Sequence, residues 1–378
     1  MRFDRRELAG AVADVGVLVP IAVALIVKNG LSPTAVFLPA GLLYVTAALV
    51  YRLPVPVQPL KAFGAIAIAH GLGADEIAAG ALLMGAIFLV LGRLRVIDLA
   101  SRAFPRALVR GVQLTVGLLF LKIAWKLVDH APKGFKHYAL EPRLAIPLAL
   151  LTLVLALALR RYPISLALVG TGVVVMLAVA GGRAAFGPSA LHLPSWHAAT
   201  FWTAFTVLVV PQVPLSFANS CLATADAARV YFGKLGERVR PGRLASTFGA
   251  ANFVSAALSG MPVCHGAGGM TAHYAFGART GGAPLVMGAS LLGIAVGAGA
   301  GLAGLLAAFP LPILAALLAT AGLLHIALLR DLRGVRAWTL ALVVGGVGFE
   351  LNLAVALALG LALWWVPEAA LRLRPAPA

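Results

Sequence analysis

LPVPVQPLKA at residues 53–62 and GMPVCHGAGG at residues 260–269 are two places where an otherwise apolar chain cannot run as unbroken helix. Pro54, Pro56 and Pro59 each remove a backbone donor and fix φ, so residues 54–58 read as extended and a helix starts only near Pro59. Pro262 with Gly266, Gly268 and Gly269 interrupts the second stretch in the same way. Both read as an extended arm leading into a half-helix. Unpaired backbone groups are costly in hydrocarbon, so such breaks are tolerated only where protein or a polar cavity covers them.

The surrounding chain makes hydrocarbon its solvent. Of 378 residues, 61% are hydrophobic and 11% charged, whereas a soluble domain carries about a quarter of its residues as charges. Apolar stretches of about 17 residues or more recur from Gly10 to Val366, which predicts an all-α membrane protein. Breaks at Gly, Pro and charge clusters predict about fourteen transmembrane segments. Seven lie near 10–29, 33–50, 54–72, 77–92, 108–128, 144–160 and 163–181. Seven more lie near 200–223, 244–260, 262–277, 284–308, 311–329, 337–349 and 352–366.

A net charge of +17 would suggest nucleic acid in a soluble protein, but no basic face with stacking aromatics or a reading helix is present. The Lys and Arg residues sit in breaks between apolar runs and set orientation instead. With both termini cytoplasmic, about 22 of them fall inside, from Arg2 to Arg374, and about 6 outside, including Lys28, Lys136 and Arg143. The chain is expected in the cell's inner membrane. Its first residues lack a small-residue cleavage site, so segment one is expected to be retained. Cys221 and Cys264, both in apolar segments without metal-ligand spacing, read as free thiols.

Fragments of the first half reappear in the second. VLVP at 17–20 resembles LVVP at 208–211, VTAAL at 45–49 resembles VSAAL at 254–258, and Met84, Gly85, Ala86 recur as Met287, Gly288, Ala289. Offsets of roughly 190 to 210 residues agree with one duplication, and an odd number of spans per half turns the second copy upside down. Segments three and ten then enter from opposite faces, and their half-helix N-termini meet near the midplane with free N–H groups and about half a positive charge each. An anion is the expected guest.

Lys61, about two residues into the first half-helix, adds an ammonium that a tetrahedral dianion would neutralise. Gly266, Gly268 and Gly269 would let backbone close round an oxyanion, with Gln58 and His265 as side-chain donors. Each has a plainer alternative. Lys61 could pair with a structural carboxylate such as Asp14, His265 could be a core histidine bonding a carbonyl, the glycines could serve helix packing, and Gln58 could satisfy broken backbone. Gln212, Ser216 and Asn219 share one helical face, which faces either the cavity or a neighbouring helix. Asp14 and Glu350 are candidates for coupling, and Glu350 and Lys122 for gating or interfacial contacts.

PVQPLKA and MPVCHGAGG, with ADVGVLVP at 13–20, FPRALVRGVQL at 104–114 and VPQVPLSFANS at 210–220, resemble the molybdate transporter family, distant relatives of the sulfate permeases. The resemblance spans nearly the whole chain. It implies oxyanion uptake and a uracil-permease-like arrangement of seven plus seven inverted segments. Core segments would occupy 1–102 and 200–309, and gate segments 103–199 and 310–378. Gln58, Lys61, Cys264, His265, Gly266, Gly268 and Gly269, with Ala267 among them, match the family's motifs. The sulfate permeases usually carry a cytoplasmic domain after the last span, where here only about a dozen residues follow Val366. Sulfate permease proper is therefore the less expected reading.

The expected partners are a small inorganic oxyanion and membrane lipid, with no nucleic acid, and a homodimer is usual for relatives of this fold. No cofactor is expected. The coupling ion is left open, a proton being one candidate. A nucleobase permease would want a carboxylate where Gln212 and His265 stand. A passive channel would want a continuous polar pore, and an enzyme would want a carboxylate pair, an HExxH or a nucleophile with its base.

Overall fold

The computed structural model describes residues 1–101, 104–159, 162, 164–180, 185–351 and 353–372, and it is built almost entirely of helices. The first half runs through α1 (Arg5–Ala11), a 3-10 turn (Val12–Asp14), α2 (Val15–Asn29), α3 (Pro33–Tyr51), β1 (Gln58–Pro59), α4 (Lys61–His70), α5 (Ala74–Arg93) and α6 (Val96–Ser101). It continues with α7 (Arg106–Asp129), α8 (Pro142–Ala158) and α9 (Ile164–Ala180). The second half begins with one continuous helical run: α10 (Ala198–Thr203), a π stretch (Ala204–Val209), α11 (Val210–Leu215), a second π stretch (Ser216–Ala223) and α12 (Thr224–Phe232). Then follow α13 (Pro241–Ala257), β2 (Val263–Cys264), α14 (Ala267–Ala275), α15 (Gly282–Gly297), α16 (Leu302–Ala307), α17 (Leu311–Ile326), α18 (Val335–Glu350) and α19 (Leu353–Arg372).

Local chemistry explains the boundaries. Asp4 caps α1 by accepting from the N–H of Arg6 and Glu7, both at 2.9 Å. Ser32 caps α3 with Pro33 at its first position, and α3 stops where Arg52 turns left-handed at φ 55° ahead of Pro54. Pro39 inside α3 deprives the Ala35 carbonyl of its helical donor, and Gly260 lies so close to that oxygen that a Cβ there would overlap it.

A helix occupies each stretch read as a segment. Among the described residues, five helical runs are long and apolar enough to cross a membrane: Pro33–Tyr51, Ala74–Arg93, Arg106–Asp129, Ala198–Arg238 and Leu311–Asp331. Shorter apolar helices include Pro142–Ala158, Ile164–Ala180 and Gly282–Gly297. The α8 and α9 helices expose Leu144, Leu148, Leu151, Val154, Val174 and Leu177, the composition of a lipid-facing surface.

Three expected boundaries are corrected. The stretch 284–308 is two helices, because the glycines of VGAGAG at 296–301 end α15 at Gly297 and a 3-10 turn precedes α16. The stretch 10–29 is divided by the 3-10 turn at Val12–Asp14. The stretch 200–223 continues to Phe232, carried past Pro211 and Pro214 by its π stretches.

Packing is set by paired glycines. The α3 helix lies along α15, α5 along α13, and α7 along α17. At each crossing a glycine faces the other helix's glycine carbonyl: Gly41 with Gly288, Gly85 with Gly249, and Gly117 with Gly322. A Cβ built on either partner would come within 2.9 to 3.1 Å of that oxygen, so the backbones approach only because both side chains are absent.

Candidate functional site

The two interrupted stretches meet. β1 pairs antiparallel with β2, Gln58 opposite Cys264 and Pro59 opposite Val263, and the Leu60 N–H donates to the Pro262 carbonyl at 3.0 Å. Asn252 of α13 clamps the second arm, its amide oxygen accepting from Val263 N–H and its amide nitrogen donating to Val263 O, both at 2.8 Å. Ser255 adds a bond to the Met261 carbonyl at 2.9 Å. The broken backbone is thus satisfied by protein.

Each arm delivers a helix N-terminus to the crossing. α4 begins at Lys61 and α14 at Ala267. No side chain among the described residues caps Ala267, Gly268 or Gly269; the first intrahelical bond on this turn is from Met270 N–H to Gly266 O at 3.1 Å. These three N–H groups form a donor surface at the positive end of α14.

Lys61 and Gln58 stand against it. The Lys61 ammonium donates to Gln58 Oε1 at 2.5 Å and lies 5.6 Å from the centroid of the Phe120 ring on α7. Gly266 closes on this pair: a Cβ there would overlap Gln58 Oε1 and sit 3.3 Å from Lys61 Nζ. Gly268 faces Phe120, where a Cβ would come within 2.5 Å of the ring. Gln58, Gly266, Ala267, Gly268 and Gly269 are buried and Lys61 is half-buried.

Several sequence candidates occupy the plainer of their two readings. His265 is fully buried with both ring nitrogens engaged, Nδ1 at 2.9 Å from Pro56 O and Nε2 at 2.9 Å from Thr247 Oγ1. It holds the first arm and does not present a donor to the crossing. Gln212 accepts from the Phe63 N–H at 2.9 Å through Oε1 and donates to Ser216 Oγ at 2.9 Å through Nε2. It caps the first turn of α4 from another element, so both ends of its amide are used within the protein. Cys264 is buried as a free thiol, its Sγ 3.8 Å from Pro59 O, and Cys221 is likewise free and buried.

Asn219 is buried with Oδ1 unpartnered among the described residues. The side chain of Asp14 lies outside the described residues; its backbone ends the 3-10 turn that packs on α14. Glu350 is exposed at the end of α18 and takes no part in the crossing, while Lys122 lies 4.8 Å over the Phe349 ring.

Two residues of α7 have roles that the sequence did not show, Phe120 at the crossing and Arg110 about three turns from it. Phe120 gave no signal, being one apolar residue among many on α7. Arg110 was assigned to the cytoplasmic surface by the charge rule, yet it is fully buried, pairing with Asp226 at the start of α12 and with Asp331 at 2.5 Å, and bonding Gln113 at 2.7 Å. Its spacing from Gln113 within FPRALVRGVQL was the available cue.

The family described as "Molybdate transporter of MFS superfamily" matches at residues 6–120 and 204–324, which bracket both arms. Molybdate transporter 1 of Arabidopsis thaliana is 29% identical over 356 residues, covering 84% of this chain and 78% of that protein. The transmembrane domain of a cyanobacterium bicarbonate transporter, BicA, superposes with a TM-score of 0.58 at 18% identity, covering 96% of this chain and 98% of that one. The murine Slc26a9 anion transporter in its inward-facing state gives 0.64 at 14% identity, covering 98% and 69%.

Proposed function

The chain belongs to the molybdate transporter family, and from that premise we propose that it imports molybdate by alternating access, holding the dianion between the N-termini of α4 and α14. Membership makes it an integral membrane transporter and not an enzyme. The observation that carries the finer reading is the antiparallel crossing of β1 with β2, which sets two half-helix N-termini, the Lys61 ammonium and a side-chain-free Gly266 at one point. Helix-end N–H donors and an ammonium converge there, an arrangement that suits a tetrahedral oxyanion better than a ring N–H.

The glycine crossings support an inverted repeat. Gly85 and Gly288 stand at equivalent places in the duplicated Met-Gly-Ala fragment, and each meets the helix bearing the other duplicated fragment: Gly249 on α13 and Gly41 on α3. Gly117 and Gly322 cross where the axis relating the halves would pass. On this reading the core is 1–102 with 200–309, the gate is 103–199 with 310–378, and both termini lie on the cytoplasmic side of the inner membrane.

The deciding experiment is thermal stabilisation of the purified protein by molybdate, tungstate, sulfate, bicarbonate and uracil. Molybdate is expected to raise the melting temperature most and uracil not at all, and Lys61→Ala is expected to abolish the shift while remaining folded. Stabilisation by uracil, or an undiminished molybdate shift in Lys61→Ala, defeats the proposal.

A further inference from the structure

Six cations from three separate segments converge on one cavity of about 800 Å³. Arg93 and Arg95 come from the end of α5 and the turn after it, Lys234 and Arg238 from the 3-10 turn Gly233–Arg238, and Arg240 and Arg243 from the start of α13. All six are exposed, and none forms an ion pair among the described residues. Asp98 and Glu237 share the cavity, which leaves an excess of four positive charges. Asp98 already accepts from the Gly242 N–H at 2.9 Å. The hydroxyls are engaged as well: Ser246 donates to Gly242 O at 2.9 Å, and Thr247 bonds Tyr51 Oη at 2.7 Å and His265 Nε2 at 2.9 Å. The cations are what the cavity offers a ligand.

Orientation in the membrane asks for cations on this face, which also carries the N-terminus: Gly281 packs on Ala48 and Arg52 at the end of α3, and Gly282 on Arg2. It does not ask them to converge. Arg240 and Arg243 moreover stand at the N-terminal end of α13, where the helix dipole favours acidic side chains and disfavours basic ones. The other large cavity on this face, of about 710 Å³, makes the contrast: Arg2, Arg6 and Arg279 line it with Asp4 and Glu7, and the Arg279 guanidinium stacks 3.8 Å over the Tyr274 ring. Its excess is a single charge.

We propose that the six-cation cavity binds the phosphate headgroup of an anionic phospholipid. Phosphate oxygens accept from several guanidinium groups at once, and clustered basic residues at a membrane edge draw anionic headgroups. The flank of the cavity is apolar: Val50 lines it, and Leu49, Val90 and Leu94, close to Val50, Arg93 and Arg95 in the chain, are exposed. Val90 and Arg93 lie three apart on α5 and so share a helical face. Exposed apolar surface leading into a basic cavity suits a molecule that carries acyl chains with its phosphate, which a dissolved phosphate lacks. The site is separate from the crossing, since none of its lining residues belongs to either arm and Thr247 reaches the first arm only through His265.

The test is lipid titration of the delipidated protein in detergent, read by native mass spectrometry, with phosphatidylglycerol and phosphatidylcholine of identical chains. Phosphatidylglycerol is expected to bind at least ~10-fold more tightly. Arg240→Gln with Arg243→Gln should weaken it by ~10-fold or more, since each basic residue near an anionic surface contributes roughly 5-fold. Arg93→Gln with Arg95→Gln should do the same from another element. Arg2→Gln with Arg6→Gln removes the same charge from the other cavity and should leave the affinity within ~3-fold, because distant charges are screened. Inorganic pyrophosphate at the same concentration should leave the melting temperature unmoved where phosphatidylglycerol raises it. Equal binding of the two lipids overturns the proposal, as does undiminished affinity in both cavity variants, or an equal loss in all three double variants, which would be attraction by overall charge. A shift by pyrophosphate that matches the lipid's would make the ligand a dissolved anion and overturn the lipid source. None of these outcomes touches the crossing, where molybdate and Lys61→Ala decide.

Discussion

The closest approach at the crossing is made by a residue with no side chain. Gly266 leaves the space that Gln58 Oε1 fills, and Gln58 in turn receives the Lys61 ammonium at 2.5 Å. Gly266→Ala must push the amide aside, and overpacking of this kind costs about 1–3 kcal/mol. The expected outcome is a folded protein with a modestly lowered melting temperature and molybdate affinity reduced by at least ~10-fold, since the displaced groups are those proposed to face the anion. Unchanged affinity by isothermal titration would remove Gly266 from the site. Proline and glycine announce themselves in a sequence because they act on their own backbone, so the two arms, Lys61 and Gly266 were legible there. The roles of His265 and Gln212 were not, because each is decided by a partner far along the chain: Thr247 and Pro56 for the first, Phe63 for the second.

Among elements, the continuous run from α10 to α12 shows where periodicity misleads. Gln212, Ser216 and Asn219 share a face if every turn is α-helical. The π stretch from Ser216 widens that turn, and Thr224 Oγ1 donates to the Asn219 carbonyl at 2.8 Å inside it. The face therefore drifts: Gln212 and Ser216 bond each other, while Asn219 is left with an unpartnered oxygen. Farther along the same run, Asp226 ties α12 to α7 through Arg110, and Asp331 ties the turn after α17 to the same guanidinium. Arg110 is fully buried, and removing it leaves Asp226 without this cation while Asp331 keeps only the exposed Arg106. Arg110→Ala is expected to cost about 3–5 kcal/mol. Arg106 also bonds Asp331, but its side chain is 59% exposed, and Arg106→Ala is expected to cost less than about 1 kcal/mol. Chemical unfolding in detergent compares the two, and equal losses would refute a buried cluster that joins these elements.

Over the whole molecule, hydropathy and charge answer different questions. Hydropathy located a helix in every apolar stretch because hydrocarbon demands that backbone groups be satisfied within the segment, whatever the tertiary fold. It could not anticipate the paired glycine crossings, which depend on two halves of the chain meeting, although the repeated Met-Gly-Ala fragment carried one member of two of them. The net charge of +17 bears on orientation only if its residues lie at the two surfaces. Arg110 shows that a basic residue need not, since burial converts it from a topology signal into a tie between helices. The remaining positions still separate sharply: Lys136 and Arg143 flank the α7–α8 connection, and Arg333 and Arg336 flank the α17–α18 connection. With Cys221 and Cys264 buried and replaced by Ser or Ala, single cysteines at 136 and 333 report the two faces. A membrane-impermeant thiol reagent added to intact cells is expected to label Lys136→Cys and to leave Arg333→Cys untouched until the membrane is permeabilised. Labelling of position 333 from outside would invert the chain and place the cavity at Arg2, Arg6 and Arg279 on the outer face.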